Sequence, residues 1–189
     1  EDLKTFTRQS KGTIYLIYAI DASASMKGEK IEMAKRAGVA LSFKAISEKD
    51  MVGLVVFNEE VQDVIPPTND FGYLLHNITR IKASSQTNFT KVIEKSVEIF
   101  PSKHATKHLV IITDALPNVG DDPEKDTLKA ISLARSNGIT VSLLGINLDG
   151  KGSELAKNIA RLGDGRFYTV KNLKEMDKIV LEDYYSVVG

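Results

Sequence analysis

Three oxygen-bearing side chains, Asp21, Ser23 and Ser25, stand at alternate positions directly after the apolar run "IYLIYAI". A second aspartate, Asp114, closes another apolar run, "LVIIT", and between the two in sequence lies a polar loop, "KASSQTNFTK". That loop carries hydroxyls at Ser84, Ser85, Thr87 and Thr90. Carboxylates and hydroxyls without thiolate or imidazole form a hard-oxygen set, suited to Mg²⁺, Mn²⁺ or Ca²⁺ rather than zinc or copper. Mg²⁺ is the preferred ion, being small, octahedral and content to keep waters beside a few protein oxygens. The chain has no cysteine, and its histidines, His76, His104 and His108, share no metal-binding spacing.

Blander roles compete for each residue. Ser23 or Ser25 can cap the helix that follows, Asp114 can be a turn residue, and Thr87 can cap the next helix. Thr90 or Ser85 can replace Thr87 if the loop is shifted. Met26, Phe89 and Leu116 lie beside these motifs and serve equally well as an apolar rim or as core. "NLDGKGSELAKN" has the wrong residues for a calcium loop, with Lys151 at a ligand position and Asn158 where a bidentate glutamate belongs. Asp121 and Asp122 before Pro123 read as acids at the positive end of a helix.

The elements that must position these oxygens alternate in type. "TIYLIYAI", "MVGLVVF", "HLVIIT" and "ITVSLLGI" are short, β-branched and apolar without strict alternation, as strands covered on both faces are. Ile31, Ala34, Gly38, Leu41 and Ala45 form one apolar stripe of a helix over residues 30–47. Leu128, Ile131 and Ala134 repeat the pattern, and Asn137-Gly138 ends it. "EEVQDVIPP" alternates polar and apolar and ends in prolines, which places it as an antiparallel hairpin partner at the sheet edge. "GSELAKNIARLGDG", "RFYTV" and "LKEMDKIVLEDYY" add helix, strand and helix. The expected fold is α/β: a Rossmann-like, doubly wound, mostly parallel six-stranded sheet with one antiparallel edge strand and helices on both faces. Ligands of such sheets bind beyond the carboxyl ends of the strands, where Asp21 and Asp114 fall.

The 189 residues fit one domain over 1–189, with residues 1–12 as an N-terminal arm. Hydrophobic residues make up 42% and charged residues 26%, enough for a sizeable core. Lysine plus arginine equals aspartate plus glutamate at 25 each, which argues against a nucleic-acid partner. No apolar stretch reaches membrane-spanning length. The chain starts at Glu1 without methionine, so a piece of a longer protein is expected.

"DASASM" followed by "KGEKIEMAK", the loop "QTN" and "ITDALPN" resembles the von Willebrand factor type A (VWA) domain with its metal-ion-dependent adhesion site (MIDAS). The resemblance covers essentially the whole chain, in motif and in element order. It implies that Asp21, Ser23, Ser25, Thr87 and Asp114 form the metal site. The serines would bind the ion directly, Thr87 directly or through water, and the aspartates would hold coordinating waters. One position would stay open for the Asp or Glu side chain of a partner protein. Neutral hydroxyl ligands would leave the ion most of its charge and so its appetite for an outside anion.

The sequence departs from the common pattern at Ala24 and Ala115, where glycine is usual, and at Ser85-Gln86, where glycines often precede the threonine. A positive φ at Ala115 would demand a different arrangement of that corner.

A Mg²⁺-dependent phosphoryl-transfer enzyme and a purely structural metal-binding domain are the alternatives. The first lacks its chemistry: Ser23 stands where a phosphatase would place a second aspartate, and there is no Walker loop or Ser-His-Asp grouping. The chain is therefore expected not to be an enzyme. Sequons begin at Asn77 and Asn88, and a glycan on Asn88 would crowd Thr87. This favours a cytoplasmic, prokaryotic or archaeal type of member, whose relatives often work beside AAA+ ATPases.

Overall fold

The computed structural model describes residues 12–115 and 117–188. The proposed arm, residues 1–12, lies outside the described residues except for its last position. In chain order the strands are β1 (Ile14–Asp21), β2 (Met51–Phe57), β3 (Val61–Thr68), β4 (Thr106–Thr113), β5 (Ile139–Ile146) and β6 (Asp164–Val170). The helices are α1 (Glu29–Ser47), α2 (Phe71–Thr79), α3 (Phe89–Ile99), α4 (Pro123–Ser136), α5 (Gly150–Leu162) and α6 (Met176–Val188). Short 3₁₀ turns cover Ala24–Met26 and Leu173–Glu175.

The six strands lie in the order β3-β2-β1-β4-β5-β6. All neighbours are parallel except β2 and β3, whose antiparallel pairing puts Pro66 and Pro67 on an edge strand, where the register shifts between Val52 and Leu54 opposite them. β1 is flanked on both sides, so every one of its residues is buried and no polar face is needed. Leu16, Tyr18 and Ile20 point into one core with residues of α1, α2 and α6. Ile17 and Ala19 point into the other, with residues of α3, α4 and α5. Full burial of each large aliphatic side chain is worth about 1.5–3 kcal/mol.

Helix α1 packs unusually close to β1. A Cβ on Gly38 would stand 2.6 Å from a ring carbon of Tyr18, so only glycine admits the ring at that distance. The Tyr18 hydroxyl donates to the Ala34 carbonyl at 2.6 Å, which satisfies a buried phenol and ties the helix to the strand. The amino end of α1 is thereby held over the carboxyl end of β1. Helix α2, capped by Asp70 accepting from Tyr73 N at 3.0 Å, is an element the sequence reading passed over. Among the described residues, no helix is long and apolar enough to cross a membrane.

Candidate metal centre

β1 ends in Asp21, which is wholly buried. Its neighbours are set by register: Ile20 lies opposite Ile112 of β4, so Asp21 comes beside Thr113. The Thr113 hydroxyl donates to Asp21 Oδ2 at 2.6 Å, and the Ser23 amide donates to Oδ1 at 2.8 Å. Burial raises the Asp21 carboxyl above its ordinary pKa, with those hydrogen bonds acting in the opposite sense. Asp21 thus ties the loop's turn to the neighbouring strand, and both of its oxygens are engaged.

The loop then curls through the 3₁₀ turn, which brings Ser23 Oγ and Ser25 Oγ within 3.2 Å of each other. The Ser25 hydroxyl donates to Asp114 Oδ1 at 2.7 Å. Neither serine is a helix cap: Ser23 makes no side-chain capping bond, and α1 begins after Gly28, at φ 88°. The side chain of Asp114 is 2% exposed, and its Oδ2 pairs with Lys30 Nζ, on the first turn of α1, at 2.8 Å.

Thr87 is buried in a loop laced to both neighbours. Ala24 N donates to Ser85 O at 2.9 Å and Ser84 N to Ala22 O at 2.6 Å, which joins it to the first loop. Asn118 N donates to Thr87 O, and Thr87 N to Asn118 Oδ1, both at 3.3 Å, which joins it to the loop after β4. Asn88 caps α3 by accepting from Lys91 N, so Thr87 has no capping duty. The structure therefore gathers Asp21, Ser23, Ser25, Asp114 and the Thr87 segment at the carboxyl edge of β1 and β4.

The residues at the unusual positions are accommodated without strain at the alanines. The non-glycine residues with positive φ among those described are Lys49, Ser85, Asn147 and Asp164, so neither Ala24 nor Ala115 needs glycine's freedom. Ser85, at φ 64°, takes the left-handed conformation in the loop where glycines are common.

The donor set suits a small hard cation. Adjacent ligands of an octahedral Mg²⁺ with bonds of about 2.1 Å lie about 3 Å apart. The serine oxygens stand 3.2 Å apart. Asp114 also accepts the Ser25 hydroxyl's hydrogen bond, which leaves that oxygen's lone pairs for an electrophile. No cluster of three or more His, Cys, Asp or Glu side chains suited to a metal occurs among the described residues. The candidate is a hydroxyl site flanked by carboxylates.

The apolar rim is corrected. Met26 is fully buried and packs into the core beneath α1, because the 3₁₀ turn points it inward. Phe89 is 1% exposed and meets Phe57 edge to face with ring centroids 5.8 Å apart. Leu116 lies outside the described residues.

Lys30, Thr113 and Asn118 were not singled out from the sequence. Thr113 had a signal, a hydroxyl at the strand end just before Asp114; Lys30 had none among the chain's many charges. His108 is structural rather than a ligand. At the amino end of β4 its ring bonds Thr140 Oγ1 at 2.6 Å and Asp183 Oδ2 at 2.7 Å.

Comparison with known proteins agrees with this fold. The chain is 22% identical over 170 residues to the YfbK protein of Escherichia coli K12, covering 87% of this chain and 30% of that protein. It is 23% identical over 180 residues to the magnesium-chelatase 67 kDa subunit of Heliobacterium mobile, covering 87% of this chain and 27% of the subunit. The chain thus spans less than a third of the length of either relative. Among solved structures, the BatB protein of Bacteroides thetaiotaomicron superposes with a TM-score of 0.77 at 21% identity, over 92% of this chain and 98% of that one. The family model of the von Willebrand factor type A domain matches residues 16–182, and with the six-stranded sheet and its antiparallel edge strand this establishes that the chain belongs to that family.

Proposed function

We propose that this domain is a metal-dependent protein-interaction module, in which Ser23, Ser25 and Thr87 hold a divalent cation, with Mg²⁺ preferred over Mn²⁺ or Ca²⁺. VWA domains commonly mediate protein–protein interaction. The observation that carries the metal reading is the pair of serine oxygens 3.2 Å apart, with Asp114 accepting a hydrogen bond from the Ser25 hydroxyl. When bound, the cation supplies an electrophilic position for one outside carboxylate. Ser23 and Ser25 contribute neutral oxygens, so the site stays short of anionic charge. Asp114 orients the Ser25 hydroxyl, while Asp21 fixes the turn through Ser23 N and Thr113.

A phosphoryl-transfer role for Asp21 is not favoured. An attacking carboxylate needs an accessible oxygen, whereas this one is fully buried with both oxygens hydrogen-bonded. The partner implied is a protein presenting Asp or Glu. Similarity to a magnesium-chelatase subunit supports a place in a larger assembly, the AAA+-associated kind being the leading candidate.

The test is calorimetric titration of MgCl₂ and MnCl₂ into the wild-type domain and Ser23→Ala, followed by acetate added to the Mn²⁺-loaded protein while water proton relaxation is read. Saturable binding that is weakened in the variant, and relaxation that falls as acetate replaces water, are the expected results. Equal titrations for both proteins would overturn the metal site, and unchanged relaxation would leave it a structural ion.

A further inference from the structure

We propose that Lys30 is a built-in counter-cation that competes with the divalent ion for Asp114, so that loading the site requires its release. This inference rests on the metal reading above. Lys30 Nζ sits 2.8 Å from Asp114 Oδ2 and 3.5 Å from the Ser25 carbonyl. Its ammonium therefore spans the two loops that would hold the ion, on the Asp114 oxygen that the Ser25 hydroxyl does not use.

Two observations set this pair apart from an ordinary surface ion pair. The first is location. Lys30 lies on the first turn of α1, where the positive end of the helix dipole disfavours a cation. Glu29 and Glu32 beside it have the sign that the helix end favours. Lys30 is thus misplaced for helix stability and correctly placed for Asp114. The second is the asymmetry of burial. The Asp114 side chain is 2% exposed and needs a cation nearby, whereas the Lys30 side chain is 31% exposed and can leave by rotating its own stem into water. Release needs no movement of α1, whose packing against β1 through Gly38 and Tyr18 is tight.

Two cations around one carboxylate repel, so the lysine and the divalent ion exclude each other at Asp114. In the metal-free domain Lys30 keeps the loops drawn together. In the loaded domain its ammonium is free at the lip of the site.

Calorimetric titration of MgCl₂ into wild type, Lys30→Met, Lys30→Arg, Lys27→Met and Asp21→Ala tests this, with thermal melts of each in EDTA and in excess Mg²⁺. Lys30→Met is expected to bind Mg²⁺ about two- to fivefold more tightly, as removal of a competing ion pair implies. It should also show the larger rise in melting temperature on loading. Lys30→Arg keeps a cation at Asp114 and should follow wild type. Lys27→Met removes an exposed neighbouring charge that makes no contact with Asp114 and should also stay close to wild type. A Lys30→Met affinity equal to or below that of wild type, or a Lys27→Met gain as large, would overturn the competition while leaving the metal site standing. Wild type and Asp21→Ala that both ignore Mg²⁺ would instead remove the metal reading and this inference with it.

Discussion

The Ser25 hydroxyl donates to Asp114 Oδ1 across 2.7 Å, joining the end of β1 to the end of β4 over 89 residues of sequence. Ser25 is itself exposed, but its hydroxyl is one of the donors to a carboxylate whose side chain is 2% exposed and which Lys30 also pairs. Ser25→Ala is therefore expected to lower unfolding free energy in EDTA by about 1 kcal/mol, with Lys30 still compensating the carboxylate. It should also weaken Mg²⁺ binding by about tenfold or more, since a ligand oxygen and its oriented proton are both removed. Paired urea denaturation in EDTA and calorimetric titration check the two halves.

Thr113, which is not a proposed ligand, acts through stability. Its hydroxyl is one of the donors to a fully buried carboxylate. Thr113→Val preserves shape and strand propensity but strips that donor, and a loss of about 1–3 kcal/mol in urea denaturation of the metal-free protein is expected.

At the amino end of the sheet, His108 on β4 and Asp183 on α6 form a buried pair, with side chains 1% and 2% exposed. Removing only the imidazole leaves a carboxylate buried without its partner. His108→Leu should cost about 3–5 kcal/mol, and His108→Leu with Asp183→Leu should recover much of that loss. Denaturant midpoints of wild type, His108→Leu, Asp183→Leu and the double variant form the cycle that reads it.

Alkaline pH should act through the tyrosines. Burial pushes the Tyr168 phenol up to about 12 and raises Tyr18 well above its usual value. Burial first, then the hydrogen bond to Asp50, raises Tyr184 further still. Phenols held protonated by the fold contribute stability that is complete below the unfolded pKa near 10 and is lost as pH rises towards the folded value. The native absorbance titration near 295 nm should therefore remain incomplete at about pH 11, with the remaining phenols ionising as the protein unfolds.

The strands of the central sheet were legible because burial on both faces leaves a continuous apolar run, as in β1 and β4, whose eight-residue length and β-branched content separate it from a buried helix. β3 was legible for a different reason, its alternation and its prolines. Helix α2 was missed because a nine-residue segment offers only about two and a half turns of periodicity. Its apolar contacts, Leu74 and Ile78, acquire meaning only against α1 and β1.

At the site, the spacing of Asp21, Ser23 and Ser25 is a local property, because a single turn brings alternate side chains together. The sequence by itself determined that these oxygens follow a buried strand, that Asp114 follows another, and that the chemistry of the set is hard. Whether Met26 and Phe89 face water or core depended on the rotation of a 3₁₀ turn and a helix start, which apolar character alone does not specify. Only the tertiary structure decided that Thr113 bonds Asp21 and that Lys30 pairs with Asp114, contacts spanning 92 and 84 residues. Strand register and the close approach of α1 at Gly38 bring those residues together, and both are products of packing between elements distant in the chain.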